Sequence, residues 1–488
     1  METRYEASWE SLVQYPVPEW ALDAKFGIYA HWGVYSVPAF GNEWYARNMY
    51  REGTREHEHF TTCYGELSTK GYKDLISGFT AEHFDPDEWA DLIAYSGAKF
   101  GGISLVHHDG FLLWDCKLNR WNAKNMGPKR DLYGELVGAL RDRGLRISAT
   151  FHHFRTFDWY LPGSGGLGEA PPEELISKGR AEGWDLFDPE YADLYWNAVT
   201  GKYDDFVAEW KAEVKEVIDR YHPDLMWFDG GRFREEESAA MVCELLAHYI
   251  NQGLDRGAAV AILNKLPSVM KFNFPRELGL LTFEQGRDRL PGIERPWIDD
   301  INIADRAWGY IEGQTYRSAS YVINALADSV SRGGGVFLSL APRADGSLPE
   351  EQVRTLRGVG DWMQVNGEAI FGTRPWRIQT EGDTRTVWPD KLRTPWNFHN
   401  CGASDIRYTH KGDSLYAIAL GWPDGGQLDL AALGDRTYLG EGSIGSVRLL
   451  GVDKPLSWTR DLAGLHITLP AEKPHDHAYA FKIENVEA

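Results

Sequence analysis

The chain has 488 residues, with 51 Lys+Arg against 72 Asp+Glu and a formal net charge of -21. That length holds two or three domains of about 100 to 200 residues each, or one large barrel with an appendage. Hydrophobic and charged fractions of 43% and 25% exclude disorder, collagen-like repeats and a disulfide-dense mini-fold, and the acidic balance with no basic stripe excludes nucleic acid as a partner.

The N-terminus has no basic region followed by an apolar run, and no stretch of about 18 apolar residues occurs anywhere. A cytoplasmic protein with no membrane partner is the expectation from the sequence as written. Cys63, Cys116, Cys243 and Cys401 lie far apart with no CxxC pair, the pattern of free thiols in a reducing compartment.

From the start to about residue 371, buried-looking strands alternate with amphipathic helices. Strands are expected at 24–33, at 100–111, at 145–153, in PDLMWFDGG (223–231), and at 258–265, 278–286 and 334–342. A helix should open at Asp85, whose side chain can cap it, with Pro86 at the first position, Asp87 and Glu88 in the first turn and Gly97 as the stop. Further helices are expected over 131–143, 203–220, 235–251 and 318–331. Alternation on this scale implies a parallel sheet closed as a (β/α)8-like, TIM-type barrel. The Gly/Pro-rich segment 161–174 reads as a flap near its mouth. After GTRPW (372–376) short strand-like segments separated by turn clusters replace the helices, which predicts a C-terminal β-sandwich over 372–488 and a catalytic domain over 1–371.

Polar residues at the C-terminal ends of barrel strands form the active site in this architecture. The expected strands end in His31-Trp32, His107-His108-Asp109, His152-His153, Trp227-Phe228-Asp229 and Phe283-Glu284. Asp229 follows an apolar run and precedes Gly230-Gly231, so its carboxylate should point into the mouth while the chain turns away. Glu284 is a second carboxylate, and two such groups are what glycoside hydrolysis needs, one ionised and one protonated. Glu294 and the pair Asp299-Asp300 compete with Glu284 for the second role. The histidines match no established metal-ligand spacing, so no metal is predicted, and neutral imidazoles hydrogen-bonded to hydroxyls are the preferred reading. Adjacent His107 and His108 can both face the mouth only if the strand has already ended. His57, His59 and Cys63 read as surface or loop-packing groups. Glu43-Trp44 fall in the loop after the first strand, where an indole face beside a carboxylate suits a sugar ring. The chain carries 20 Trp against 21 Phe, and Trp89 and Trp210 are assigned to helix packing.

The blocks AKFGIYAHWGVYSVPAFGNEWY, AKFGGISLVHHDGFLLWDC, HPDLMWFDGG, RAWGY and SRGGGVFLSLAPRADGSLPEEQ, in that order, resemble those of the α-L-fucosidases of glycoside hydrolase family 29. The resemblance implies a cofactor-independent retaining exo-hydrolase acting on fucosylated oligosaccharides or fucosides. It implies Asp229 as nucleophile, and His31, Glu43, Trp44, His107, His108, Trp227 and Trp308 as sugar-binding residues. Trp32, Trp44, Trp227 and Trp308 fall in these blocks, which the resemblance implies as lining a sugar pocket. TFEQG resembles the segment that carries the family's acid/base, which favours Glu284 over Glu294. Three departures bear on specificity more than on reaction type and are expected around the pocket rim or leaving-group side. His152-His153 stand where the family often has tyrosine, Lys265 stands where some relatives have arginine, and Ile298 stands where glutamate is common. A related α-L-galactosidase or transfucosidase would use the same residues, and a non-catalytic fucose-binding barrel is the alternative of a different class. A homo-oligomer is compatible with the sequence. The acidic balance disfavours heavily sulfated fucans unless a local basic rim overrides it.

Overall fold

The computed structural model describes residues 4–161, 173–229, 236–265, 274–286, 295–382, 398, 401–435 and 444–486. Eight parallel strands close into a barrel in sequence order: β1 (Phe26–Ala30), β2 (Phe100–Val106), β3 (Arg146–Phe151), β4 (Leu225–Phe228), β5 (Ala261–Lys265), β6 (Leu280–Glu284), β7 (Trp297–Asn302) and β8 (Val336–Leu340). The last pairs with the first over five residues, Phe26 with Val336 through Ala30 with Leu340. Side chains alternate between the two faces of each strand. The inward set, including Tyr29, Phe100, Leu225, Trp227, Leu263, Leu280, Ile298 and Phe337, fills the barrel as its own apolar cluster. Gly27 shows how tightly: a Cβ there would stand 2.1 Å from the Phe100 ring.

Seven of these strands were expected from periodicity; β7 was not. Its sequence, Trp-Ile-Asp-Asp-Ile-Asn, places carboxylates on both faces, a pattern that reads as a loop because burying charge without partners is costly. Both acids have partners here. Asp299 faces outward and accepts the Gly286 N–H at 2.8 Å, and Asp300 faces inward and accepts the Tyr29 hydroxyl at 2.8 Å.

The helix at Asp85 begins where its cap predicts, and the others begin within a residue or two of the expected ranges. Asp85 accepts the N–H groups of Asp87 and Glu88 at the head of Pro86–Tyr95, and Gly97 follows the helix with a φ of 86°. Asp131 caps Leu132–Asp142 and Ser318 caps Ala319–Ser331. Tyr203–Tyr221 and Glu236–Asp255 occupy the other two expected positions. Of the segment 161–174, residues 162–172 lie outside the described residues.

The antiparallel strands begin at Arg374: β9 (Arg374–Glu381), β10 (Ile406–Lys411), β11 (Ser414–Ala419), β12 (Gln427–Leu430), β13 (Val447–Leu449), β14 (Trp458–Arg460), β15 (Leu465–Thr468) and β16 (Tyr479–Glu484). They form a five-stranded sheet, β13-β16-β11-β10-β9, and a three-stranded sheet, β12-β15-β14. Alternation along β11 divides its side chains between two cores. Leu415, Ala417 and Ala419 face the core between the sheets, while Tyr416 and Ile418 join the main core of the barrel domain. A buried ion pair, Arg407 Nε to Asp328 Oδ1 at 2.6 Å, links β10 to the helix Ala319–Ser331. The four cysteines are free, and among the described residues no helix is long and apolar enough to cross a membrane.

Candidate active site

The strand ends converge on one polar pocket. Asp229 follows β4 directly, and its N–H donates to Phe151 O at 2.8 Å, so the backbone is still held in the sheet where the carboxylate emerges. Oδ1 accepts from Lys265 Nζ, at the end of β5, and Oδ2 lies 3.1 Å from His152 Nε2. The same ammonium stands 3.2 Å from Glu284 Oε2, at the end of β6. Because one nitrogen reaches both carboxylates at ion-pair distance, their nearest oxygens are at most about 6 Å apart, compatible with the spacing of about 5 to 5.5 Å in retaining glycosidases and below the range of about 6.5 to 9.5 Å in inverting ones.

Electrostatics sets the charge of Asp229 and Lys265. Burial drives the Asp229 carboxyl upward, but Lys265 and His152 outweigh it and hold the group well below the usual carboxylate range. Burial opposes the charge on Lys265, yet Asp229 and Glu284 keep its pKa above the ordinary lysine value. Asp300 is the third inward acid near this ammonium. Burial pushes its carboxyl well above the usual range, against the pull of Lys265.

Four imidazoles form the opposite wall. One nitrogen from each of His31, His107 and His152 lies within 4.8 Å of the others. His31 Nδ1 meets Ser339 Oγ at 2.7 Å, and His152 Nδ1 meets Ser104 Oγ at 2.9 Å. His108 donates from Nδ1 to His152 O at 2.6 Å. Burial first, and neighbouring charges second, push His31, His107 and His108 well below the ordinary imidazole value, so they are neutral. A tetrahedral zinc ion with Zn–N bonds of about 2.0 to 2.1 Å needs its ligating nitrogens about 3.4 Å apart. The three nitrogens span at most 4.8 Å, which accommodates either one ion or the spaced hydroxyls of a sugar. Strand β2 has ended at Val106, which is why adjacent His107 and His108 both reach the pocket, with ring centroids 4.3 Å apart.

Glu43, Trp44 and Trp308 close the side beyond the histidines. Glu43 Oε2 accepts the Trp308 N–H at 3.1 Å, and the Trp308 ring lies 5.1 Å from His31. Trp44 packs edge-on against His108, with the Arg155 guanidinium 4.8 Å over its ring. Trp227 lies one inward position below Asp229, fully buried, with Lys265 Nζ 5.7 Å over its ring.

Several expectations change. Trp32 does not line the pocket. It packs on Phe79, Phe84 and Trp89, and its indole N–H donates to Arg343 O at 2.7 Å, because it alternates to the face opposite His31. The departures at His152 and Lys265 lie inside the pocket and not at its rim: both touch Asp229, and Lys265 also reaches Glu284, the carboxylate assigned to the leaving-group side. His153 turns the other way and meets Glu213 at 3.3 Å; burial lowers its imidazole to about 3 and raises Glu213 to about 8. Ile298 belongs to the barrel interior, and Asp299, turned outward, is removed as a rival to Glu284. Glu294 lies outside the described residues. The residues that sequence reasoning passed over are Tyr29, Ser104 and Ser339, which hold the histidines and Asp300 from behind. Tyr29 was open to discovery as the inward neighbour of His31, two positions earlier on β1.

A family model described as "Alpha-L-fucosidase" matches residues 1–368, and one described as "Alpha-L-fucosidase C-terminal domain" matches residues 400–484. The tissue alpha-L-fucosidase of Rattus norvegicus is 30% identical over 478 residues, covering 96% of this chain and 89% of that protein. An alpha-L-fucosidase of Branchiostoma floridae is 29% identical, with 99% and 97% covered. Among solved structures, Thermotoga maritima alpha-fucosidase in complex with a mechanism-based inhibitor is 28% identical with a TM-score of 0.75, covering 99% of this chain and all of that one. The same enzyme in complex with fucose superposes with a TM-score of 0.74.

Proposed function

The chain belongs to the α-L-fucosidase family, retaining glycoside hydrolases that release α-L-fucose, and from that premise we propose that Asp229 is its nucleophile and Glu284 its general acid and base. The observation that carries these roles is the Lys265 ammonium shared by two carboxylates from neighbouring strand ends. Asp229, kept ionised, attacks the anomeric carbon while Glu284 gives its proton to the departing oxygen. This leaves a fucosyl ester on Asp229 and a carboxylate at Glu284. Water then loses a proton to Glu284 as it attacks the same carbon, and the Asp229 carboxylate is regenerated. In this reading His31, His107, His108 and Glu43 hold the sugar hydroxyls, Trp44 and Trp308 flank the ring, and Trp227 floors the site.

Following an aryl α-L-fucoside by proton NMR tests this reading. The α-anomer of fucose should appear first, before mutarotation, and first release of the β-anomer would overturn it.

Lys265 makes a second prediction. It holds Asp229 ionised, and the reaction needs that ionised form, so Lys265→Met raises the Asp229 pKa. The acid limb of kcat/KM should then move upward by about 1 to 3 pH units, costing more activity at low pH than at neutral pH. Lys265→Arg keeps the charge and should leave the limb in place. A pH profile of kcat/KM with an aryl fucoside checks both.

A further inference from the structure

Four successive strand ends meet where the histidines face Asp229. His31 follows β1, His107 follows β2, His152 follows β3 and Asp229 follows β4, so closure of the barrel gathers residues that no short ligand motif could link. One nitrogen from each of the three imidazoles lies within 4.8 Å of the other two, and among the described residues this is the one group of His, Cys, Asp or Glu so converged. The rings are buried, between 1% and 4% exposed. Three points no more than 4.8 Å apart share a centre at most about 2.8 Å from each, so a shift of about 0.7 Å per ring brings all three to the Zn–N distance of about 2.0 to 2.1 Å.

The hydrogens suit an ion as well as the spacing does. A metal-bound imidazole presents one bare nitrogen while a hydrogen-bond partner holds the other. Ser339 Oγ meets His31 Nδ1 at 2.7 Å and has Leu340 O at 3.4 Å as acceptor for its own hydrogen. Ser104 Oγ meets His152 Nδ1 at 2.9 Å and has Val106 O at 3.3 Å in the same role. Each serine can therefore accept a hydrogen from Nδ1, which leaves Nε2 of both rings bare. His152 Nε2 and His107 Nδ1 are buried without a hydrogen-bond partner, a condition that calls for a ligand. Asp229 adds an oxygen, for Lys265 takes Oδ1 while Oδ2 lies 3.1 Å from His152 Nε2. Three imidazoles and one carboxylate are the donor set of zinc and its neighbours, whereas Mg²⁺ and Ca²⁺ take oxygen ligands.

We propose that His31, His107 and His152, with Asp229 Oδ2 as fourth ligand, form a binding site for a divalent transition-metal ion of the zinc class, and that the ion and the sugar exclude each other. The exclusion rests on the reading of His31 and His107 as partners of fucose hydroxyls. An ion at this point occupies the nitrogens that the hydroxyls need and draws on the charge with which Asp229 attacks, so it inhibits and takes no part in the reaction. The neighbouring Lys265 ammonium repels it, which weakens its hold and lets substrate displace it.

The test begins with full-length protein freed of metal by a chelator, desalted and titrated with Co²⁺, whose visible spectrum reports its ligands. One ion per chain should bind with the intense bands of a four-coordinate site. Zn²⁺ should displace it and Mg²⁺ should not. Ser104→Ala removes the partner of His152 Nδ1 and should weaken binding about 10- to 100-fold, and His152→Gln should weaken it further. Equal binding by His152→Gln would place the ion elsewhere, for instance on His466 between Asp429 and Asp461, and overturn the proposal. In the wild type, fucose should bleach the Co²⁺ bands, and Zn²⁺ should raise KM for an aryl α-L-fucoside with kcat unchanged. Absence of a bound ion overturns the metal site and leaves the functional reading standing. An ion that is lost in His152→Gln yet indifferent to fucose overturns the exclusion, and it removes the histidines from the sugar site, a failure of the functional reading.

Discussion

Asp229→Gly should lose at least about 10³-fold in turnover of an aryl α-L-fucoside, and added azide should restore part of it as β-L-fucosyl azide. The argument begins at the backbone. The Asp229 N–H is bonded to Phe151 O, so the main chain at this point is set by the sheet and not by the side chain. Deleting the carboxymethyl group leaves a space where the nucleophile stood, with Lys265 and His152 still facing it. A small anion is drawn there by the ammonium. Azide then attacks the anomeric carbon from the side the carboxylate used, Glu284 still protonates the leaving group, and a single displacement inverts the configuration. Normal hydrolysis by the variant would sink the assignment of Asp229. So would rescue that yields only the α-azide. Asp229→Asn fills the space with a neutral amide and should be equally slow but not rescued, which separates loss of the nucleophile from loss of the fold.

Patterns that repeat along the chain were readable in the sequence, and contacts between distant strand ends were not. Asp85 announced its helix because a cap acts on N–H groups two or three residues away. Strands β1, β2 and β4 were legible as strands because each is a short, mainly apolar run that leads into polar groups. β7 failed the same test, since its acids find their partners on β1 and just beyond β6. The pocket followed the same division. Asp229, His31, His107 and His108 could be named from strand-end position and family resemblance, whereas the placement of Lys265 between two carboxylates depends on the closure of the barrel. Trp32 shows the limit of a motif. It adjoins His31 in the chain, yet alternation carries it to the helix-packing side, so membership of a block did not mean membership of the pocket. Trp89 and Trp210, assigned to packing by helical spacing, are 5% and 2% exposed.

The departures from the family pattern also take on a different meaning. At the rim they would bear on which glycan enters. His152 and Lys265 instead contact the two oxygens of Asp229, and Ile298 lies below the site in the apolar interior. Their consequences should therefore appear in the pH dependence of the bond-forming step more than in the choice of aglycone.

Glu284→Ala separates the second carboxylate from the first through the leaving group. A poor leaving group, such as a sugar hydroxyl, cannot depart without a proton, and natural fucosyl linkages should lose about 10² to 10⁴-fold, the usual worth of general acid catalysis. A nitrophenolate needs little protonation, so kcat/KM for 4-nitrophenyl α-L-fucoside should fall about tenfold or less. The second step has no such escape, because attack of water on the fucosyl ester still needs a base. The ester should accumulate, lowering KM together with kcat. Azide is already an anion and needs no base, so it should raise turnover of this variant by intercepting the ester. Asp229 still performs the first displacement, and two inversions give the α-azide. The opposite configurations of the azides from Asp229→Gly and Glu284→Ala thus assign the two roles independently of any rate. Equal losses on natural and aryl substrates would leave Lys265 bridging Asp229 to a carboxylate that is not the acid, and the role would pass to Glu294.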